Sequence, residues 1–166
     1  MCKINFKKTL PYIGSILFMI ILSYIYFSPD ILEGKVLFQG DTQQGIAIGQ
    51  EGKAFRKATG ETTRWTNSLF SGMPNFQISP SYANNYWMGQ IGRIYHLGLQ
   101  SPASLVFIMM LGFFILLSAM KIRWYLALVG AIAYAFSSYF FIIIGAGHIW
   151  KFITLAYIPP TIAGII

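Results

Sequence analysis

Four long apolar runs constrain this chain more than any other feature of its sequence. Residues 10–27, 103–120 and 124–145 carry no charged side chain, and residues 152–166 form a shorter run of the same kind. A helix needs about 20 apolar residues to cross a hydrocarbon core. Charged residues make up only 10% of the chain, against about 25% in soluble domains. We therefore expect an all-α polytopic membrane protein.

Basic residues beside the apolar runs predict how the chain is oriented. Lys3, Lys7 and Lys8 precede the first run, while Lys121 and Arg123 separate the second run from the third. Short basic segments beside membrane spans stay in the cytoplasm. The prediction is a cytoplasmic N-terminus at residues 1–9 and a cytoplasmic turn at residues 121–123.

The remaining segments follow from that orientation. We expect spans at residues 10–27, 103–120 and 124–145, an extracytoplasmic loop with helices at 28–102, an outer turn at 146–151 and the start of a fourth span at 152–166. Because unpaired carbonyl groups are costly inside a bilayer, we expect the chain to be the N-terminal part of a larger protein. The first run exceeds the ~7–15 residues of a signal peptide and lacks a small-residue cleavage site, which predicts an uncleaved anchor.

The net charge of +7 does not predict a nucleic-acid partner. The loop at 28–102 contains five acidic and six basic residues, and the remaining bases all flank the spans. Membrane orientation therefore explains the excess positive charge. The single cysteine excludes a disulfide within the chain. The sequence contains no Walker loop, GxGxxG or HExxH motif, so nothing in it predicts nucleotide hydrolysis.

Asp41 is the strongest candidate for a catalytic residue. All five acidic residues fall between Asp30 and Glu61, and Asp41 lies shortly beyond the first apolar run. An enzyme working on lipid-linked substrates would place a catalytic carboxylate there. The alternative is structural, because Asp41-Thr-Gln-Gln44 has the spacing of a capping box at a helix start. Glu51 and Glu61 are expected to be solvated surface acids.

A second candidate block contains Trp65, Asn67 and Gly72. An indole face can stack on a sugar ring, and Gly72-Met-Pro74 can form a tight turn that brings backbone amides to a ligand. The alternative is a folded loop core in which Trp65 is buried. Both interpretations stay open on the sequence alone.

His148 and Lys151 lie at the predicted outer turn, three residues apart. A histidine and a lysine at this spacing can hold a phosphate group. The alternative is interfacial anchoring, with Trp150 in the aromatic belt and Lys151 extending its ammonium group toward water.

Two patterns predict local structure. Residues 42–58 lack proline and are expected to form a helix despite three glycines, with Gly60 suited to the position after the helix end. Ala127, Ala131 and Ala135 recur every four residues, which predicts a small-residue face for close packing against another helix.

Several spaced motifs extend along nearly the whole chain. They are Leu32-Glu-Gly-Lys35, Gln39-Gly-Asp-Thr-Gln-Gln44, Thr63-Arg-Trp-Thr-Asn67, Ser71-Gly-Met-Pro74, Gly147-His148 and Ala156-Tyr157-Ile158-Pro159. In this order they resemble the N-terminal part of the YfhO family of bacterial membrane proteins. That family is grouped with the GT-C glycosyltransferases, which use polyprenyl-phosphate sugars at the outer face of the cytoplasmic membrane.

The resemblance implies a function and a set of site residues. Asp41 matches the acid of the first outer loop, which acts in GT-C enzymes as a catalytic base or helps to bind a divalent metal. The expected reaction transfers a sugar from a polyprenyl-phosphate donor to a cell-envelope acceptor, and the metal requirement stays open. The expected substrate-binding residues are Gln43, Gln44, Trp65, Asn67, Gly72, His148 and Lys151. Membrane lipid is the other expected partner.

The main alternative is a non-catalytic transporter or envelope-assembly subunit. A transporter places ionisable residues or broken helices near the membrane midplane. Within the apolar runs the sequence indicates one disruption only, at Pro159 and Pro160. This pattern favours chemistry at the outer face.

Overall fold

The computed structural model describes residues 6–77 and 86–166. It is mostly helical, which confirms the expected all-α class in its coarser form. Lys3 and the rest of residues 1–5 in the predicted cytoplasmic segment lie outside the described residues. The helices are α1 (Phe6–Tyr26), α2 (Ser28–Leu32), α3 (Gly40–Ile48), α4 (Gln50–Thr59), α5 (Tyr86–Tyr95), α6 (Ala103–Ala119), α7 (Trp124–Ala135), α8 (Ser138–Ala146) and α9 (Ile149–Ala163).

Two compact units make up the chain. The apolar unit consists of Met1–Phe38 and Gly92–Ile166, and the loop unit consists of Gln39–Ile91. Each is described by itself below.

Helix α6 forms the centre of the apolar unit. It packs against α1, α7 and α9. Its first eight residues, 103–110, are all buried. Because the buried set covers every side of the helix rather than one stripe, α6 is surrounded by other helices along that half.

The small-residue face predicted for α7 is confirmed. Ala127, Ala131 and Ala135 are fully buried. On the same helix, Gly130 lies against Leu117 of α6. Small side chains at these positions let the two helices approach closely.

Helix α1 is long and apolar enough to cross a membrane, over Thr9–Tyr26. Only 17% of this 18-residue window is buried, so α1 is not the enclosed core helix of the unit. Helices α7 and α8 are together long and apolar enough to cross a membrane, but they are bent by 46° relative to each other. Helix α6 is also apolar but shorter. An N-terminal signal sequence shares the length and composition of α1. The structure thus supports one candidate membrane span, α1, or two candidate spans if α7 and α8 together form a single bent span.

The third apolar run, for which a span was predicted at residues 124–145, forms two helices rather than one. Helix α7 ends at Ala135 and α8 begins at Ser138. Ser137 is extended, with φ −66° and ψ 141°, and stands at the N-terminal cap position of α8. Serine favours such cap positions over helix interiors, because its side chain competes for backbone hydrogen bonds. The Ser137 side chain makes no cap hydrogen bond here, so the serine pair marks the break only as a statistical preference.

The boundaries of α9 also differ from the predicted ones. Only Gly147 and His148 separate α8 from α9, whereas the sequence predicted an outer turn at 146–151. Gly147 adopts the left-handed conformation at φ 93°, which lets α8 end abruptly.

Helix α9 contains Pro159 and Pro160 in its interior. Since proline has no backbone N–H, the carbonyl of Ala156 loses the donor that residue 160 would otherwise supply. The Tyr95 hydroxyl lies 3.5 Å from this carbonyl and 3.1 Å from the carbonyl of Ile108 in α6. The single hydroxyl proton of Tyr95 is therefore shared between these two carbonyls at the α6–α9 crossing, with the shorter contact to Ile108.

The loop unit has two helices where the sequence predicted one at residues 42–58. Helix α3 ends at Ile48 and α4 begins at Gln50, with Gly49 between them. Gly49 serves as the cap residue of both helices. Gly60 has φ 78° and its N–H donates to the carbonyl of Arg56, so the prediction of a glycine end for this helix is confirmed.

A short hairpin follows α4. Strands β1 (Trp65–Thr66) and β2 (Met73–Pro74) are antiparallel, with Trp65 opposite Pro74 and Thr66 opposite Met73. The 3-10 helix Asn75–Gln77 comes next. Gly52 of α4 lies against Asn75 and Thr63, so the hairpin packs on α4.

Candidate functional site

Trp65 is the centre of the candidate site. Its indole N–H donates to Oδ1 of Asn67 at 3.2 Å. Gly72 lies against the same edge, where an added Cβ would be 2.8 Å from Cζ2 and 2.9 Å from Nε1. The residue is nevertheless 52% exposed. The alternative that Trp65 is buried in a loop core is therefore wrong: one edge of the ring is held and the remainder faces solvent.

The hairpin loop has an unusual backbone. Phe70, Ser71 and Gly72 have φ values of 50°, 59° and 123°. A run of left-handed residues that includes a phenylalanine is strained, and such strain is concentrated at functional sites. The predicted tight turn at Gly72-Met-Pro74 occurs earlier in the chain, with the N–H of Gly72 donating to the carbonyl of Leu69 at 2.8 Å. Only glycine can approach the indole edge this closely.

Glu51 lies at the base of the same hairpin, and it is not a solvated surface acid as the sequence suggested. Its Oε2 accepts hydrogen bonds from the Thr66 hydroxyl at 2.5 Å, the Ser68 hydroxyl at 2.9 Å, the Asn67 backbone N–H at 2.8 Å and the Ser68 backbone N–H at 3.1 Å. Its Oε1 accepts from Nδ2 of Asn67 at 3.2 Å. These bonds join α4 to the turn that follows β1.

The hydrogen bonds also determine the protonation of Glu51. Donation by the Thr66 hydroxyl, then by the Ser68 hydroxyl and the Asn67 backbone N–H, lowers the pKa of Glu51 from 4.5 to about 2. The carboxylate is therefore ionised at any physiological pH. The backbone N–H groups of Asn67 and Ser68 are occupied by this carboxylate, and the N–H of Gly72 in the predicted turn donates to the Leu69 carbonyl.

Asp41 is in the first turn of α3, but it does not cap the helix. The cap residue is Gln39, and Asp41 is the second helical residue. Thr42 donates to the side-chain carbonyl of Gln39 at 3.0 Å. Because the helix begins at Gly40, Asp41 does not occupy the cap position that the alternative interpretation, a capping box with Gln44, requires. Asp41, Gln43 and Gln44 are all exposed on α3.

His148 and Lys151 belong to the start of α9. His148 is the cap residue of that helix, and both side chains are exposed. The Lys151 ammonium lies 5.7 Å from the centre of the Tyr139 ring, within the range of a cation–π contact. Trp150 is 82% exposed, as an interfacial residue would be.

The predicted site residues form three groups. Trp65, Asn67 and Gly72 come together in the hairpin; Asp41, Gln43 and Gln44 share α3; His148 and Lys151 share the start of α9. Across the described residues 6–77 and 86–166, no three His, Cys, Asp or Glu side chains converge as a metal site requires.

Sequence reasoning missed Glu51, Thr66 and Ser68. The signal was weak, because the acid and its donors are 15 to 17 residues apart. The available hint was the run of three consecutive polar residues after Trp65, which is rich in hydrogen-bond donors. In comparisons with protein families, curated proteins and solved structures, nothing matches this chain.

Proposed function

We propose that the chain belongs to a multi-pass, GT-C-like glycosyltransferase of the bacterial cytoplasmic membrane, with its N-terminus inside. The enzyme transfers a sugar from a polyprenyl-phosphate donor to a cell-envelope acceptor on the outer face. The spans are those predicted at 10–27, 103–120 and 124–145, with the start of a fourth at 152–166. The membrane-length helix α1 supports the first of them.

One observation carries this proposal: the half-exposed Trp65 with its N–H edge held by Asn67 and Gly72. A fixed aromatic ring with open surface stacks on the apolar C–H face of a sugar at little cost in side-chain entropy.

The proposed chemistry assigns the base to Asp41. The acceptor hydroxyl gives its proton to the Asp41 carboxylate while its oxygen forms a bond to C1 of the sugar. The bond from C1 to the phosphate oxygen breaks, and polyprenyl phosphate leaves with the electron pair. An exposed carboxylate on the first turn of a helix is accessible to such a substrate.

The test is Asp41→Asn, measured as sugar transfer from a polyprenyl-phosphate donor in membranes. Asn cannot accept the proton, so transfer should be lost. Losing the carboxylate charge in the first turn of α3 should cost about 0.3–1 kcal/mol through the helix dipole. Glu61→Gln removes an exposed acid just after α4 and is the matched control. Transfer that survives in Asp41→Asn would refute the catalytic role.

A second candidate function is supported by the break between α7 and α8. Transporters build substrate sites from interrupted helices, and residues 136–137 interrupt an otherwise apolar run in addition to Pro159 and Pro160. The sequence-based argument against a transporter considered only one disruption of the apolar runs, at Pro159 and Pro160, and did not include this break.

The two functions predict different behaviour at Ser137. A cysteine at this position in a Cys2→Ser background should react with a water-soluble thiol reagent if the break lines an aqueous pathway. It should be protected if the break is enclosed by protein. Reactivity at position 137 together with normal function in Asp41→Asn would favour the transporter.

A further inference from the structure

The side chain of Asn67 is engaged at both ends. Its Nδ2 donates to Oε1 of Glu51 at 3.2 Å, and its Oδ1 accepts from the indole N–H of Trp65 at 3.2 Å. The Glu51 carboxylate therefore decides which way the amide faces: a carboxylate accepts only, so the amide nitrogen must turn toward it and the amide oxygen toward Trp65.

The other oxygen of Glu51 fixes the carboxylate itself. Oε2 accepts four hydrogen bonds from Thr66, Asn67 and Ser68. With one oxygen held on the turn, Oε1 has a defined position and can orient Asn67. Gly72 closes the opposite side of the N–H edge of the indole.

We propose that Glu51 is the positioning residue of the sugar-stacking subsite at Trp65, acting through the amide of Asn67. The inference rests on the proposed function for the identity of the ligand, a pyranose ring. Because the indole N–H already donates to Asn67, Trp65 contacts the sugar only through stacking on its C–H face and donates no hydrogen bond to it. Asn67, which the sequence assigned to substrate contact, instead holds Trp65.

Glu51→Gln separates positioning from simple structural support. The glutamine carbonyl oxygen can take the place of Oε2 and keep all four bonds to the turn. The glutamine NH2 then faces Nδ2 of Asn67, donor against donor. The Asn67 amide must turn over, which places its own NH2 against the indole N–H, and the bond to Trp65 is lost.

The double variant Glu51→Gln/Asn67→Asp should restore the arrangement. The aspartate accepts from the glutamine NH2 with one oxygen and from the indole N–H with the other. The net charge equals that of the wild type. In Asn67→Asp alone, the new carboxylate lies beside the Glu51 carboxylate. The two negative charges repel each other, so the bond to the indole N–H of Trp65 should also be lost.

The readout is hydrogen exchange of the indole N–H in protein labelled with 15N-tryptophan and purified in detergent. The Trp65 signal is assigned by its absence in Trp65→Phe, and the other three tryptophan signals report whether the fold is intact. Exchange at Trp65 should be roughly three- to tenfold faster in Glu51→Gln, the effect of losing one hydrogen bond. It should return to the wild-type rate in the double variant.

Titration with methyl hexopyranosides, followed by the shift of the Trp65 signal, tests the ligand. Binding should weaken in Glu51→Gln and recover in the double variant. Wild-type exchange in Glu51→Gln, or a folded double variant that is not restored, would overturn the positioning role. If exchange behaves as expected while no hexopyranoside shifts the Trp65 signal, the positioning role stands and the sugar-binding function fails.

Discussion

Gly112→Ala tests the close crossing of α6 and α9 in the apolar unit. A Cβ at this position would be 2.7 Å from the backbone carbonyl oxygen of Ala156, 2.8 Å from the Tyr95 hydroxyl and 3.0 Å from Cδ of Pro160. To reach the 3.4 Å at which contact becomes ordinary, α9 must retreat by about 0.7 Å. Two of the three obstacles, a backbone atom and a proline ring, cannot rotate away.

The expected cost follows from two opposing effects. Overpacking against rigid neighbours costs about 1–3 kcal/mol, whereas replacing glycine by alanine within a helix gains up to about 1 kcal/mol. The net loss should be about 1–2 kcal/mol. For a chain of this size each kcal/mol lowers the thermal midpoint by about 2–4 °C.

Gly130→Ala is the matched control. Its Cβ would also meet an atom at 2.7 Å, but that atom is the terminal methyl Cδ1 of Leu117, which can change rotamer. The thermal midpoint should therefore change little. Gly14→Ala, with nothing within 4 Å, should be neutral or stabilising.

The assay is thermal unfolding of the three variants in one detergent, followed by circular dichroism at 222 nm. The expected order of stability is Gly14→Ala, then Gly130→Ala, then Gly112→Ala. Adding Tyr95→Phe to Gly112→Ala removes one obstacle, so the combined loss should be smaller than the sum of the separate losses. A Gly112→Ala protein as stable as Gly130→Ala would refute the reasoning that rigid neighbours decide the cost.

Three further predictions concern charge and topology. Glu51 stabilises the loop unit fully above its ordinary pKa of 4.5 and loses this effect as the pH falls toward about 2, so the difference in thermal midpoint between wild type and Glu51→Gln should shrink over that range. If Lys151 binds the donor phosphate, Lys151→Gln should raise the KM for lipid donor while Lys151→Arg stays mild, whereas anchoring alone leaves the KM unchanged and lowers stability in membranes. Cysteine labelling from outside the cell should reach position 60 and miss position 122, and the reverse pattern would place Asp41 in the cytoplasm and remove the enzyme proposal.

Local sequence patterns predicted the features that depend on neighbouring residues. The buried face of Ala127, Ala131 and Ala135 follows from helical periodicity, and the end of α4 at Gly60 follows from the freedom of glycine to adopt positive φ. Both were confirmed because tertiary contacts agree with the local preference.

The features that sequence reasoning missed depend on contacts between distant residues or on which residue stands at the start of a helix. Glu51 is held by donors from a turn 15 to 17 residues away, which no periodicity reveals. Asp41 had the chemistry to cap α3, but the helix begins at Gly40, which places Asp41 within the first turn. The third apolar run was interpreted from its hydrophobicity alone, so the cap position of α8 at Ser137 was not predicted.

The Tyr95 hydroxyl has a consequence for the order in which the chain is made. Synthesis runs from the N-terminus, so Tyr95 and the Ile108 carbonyl leave the ribosome well before Pro159 and Pro160. When α9 arrives, the partner for the Ala156 carbonyl, which Pro160 leaves without a helical donor, is already present on the growing protein. We therefore expect the completion of helix α9 to wait for α5 and α6.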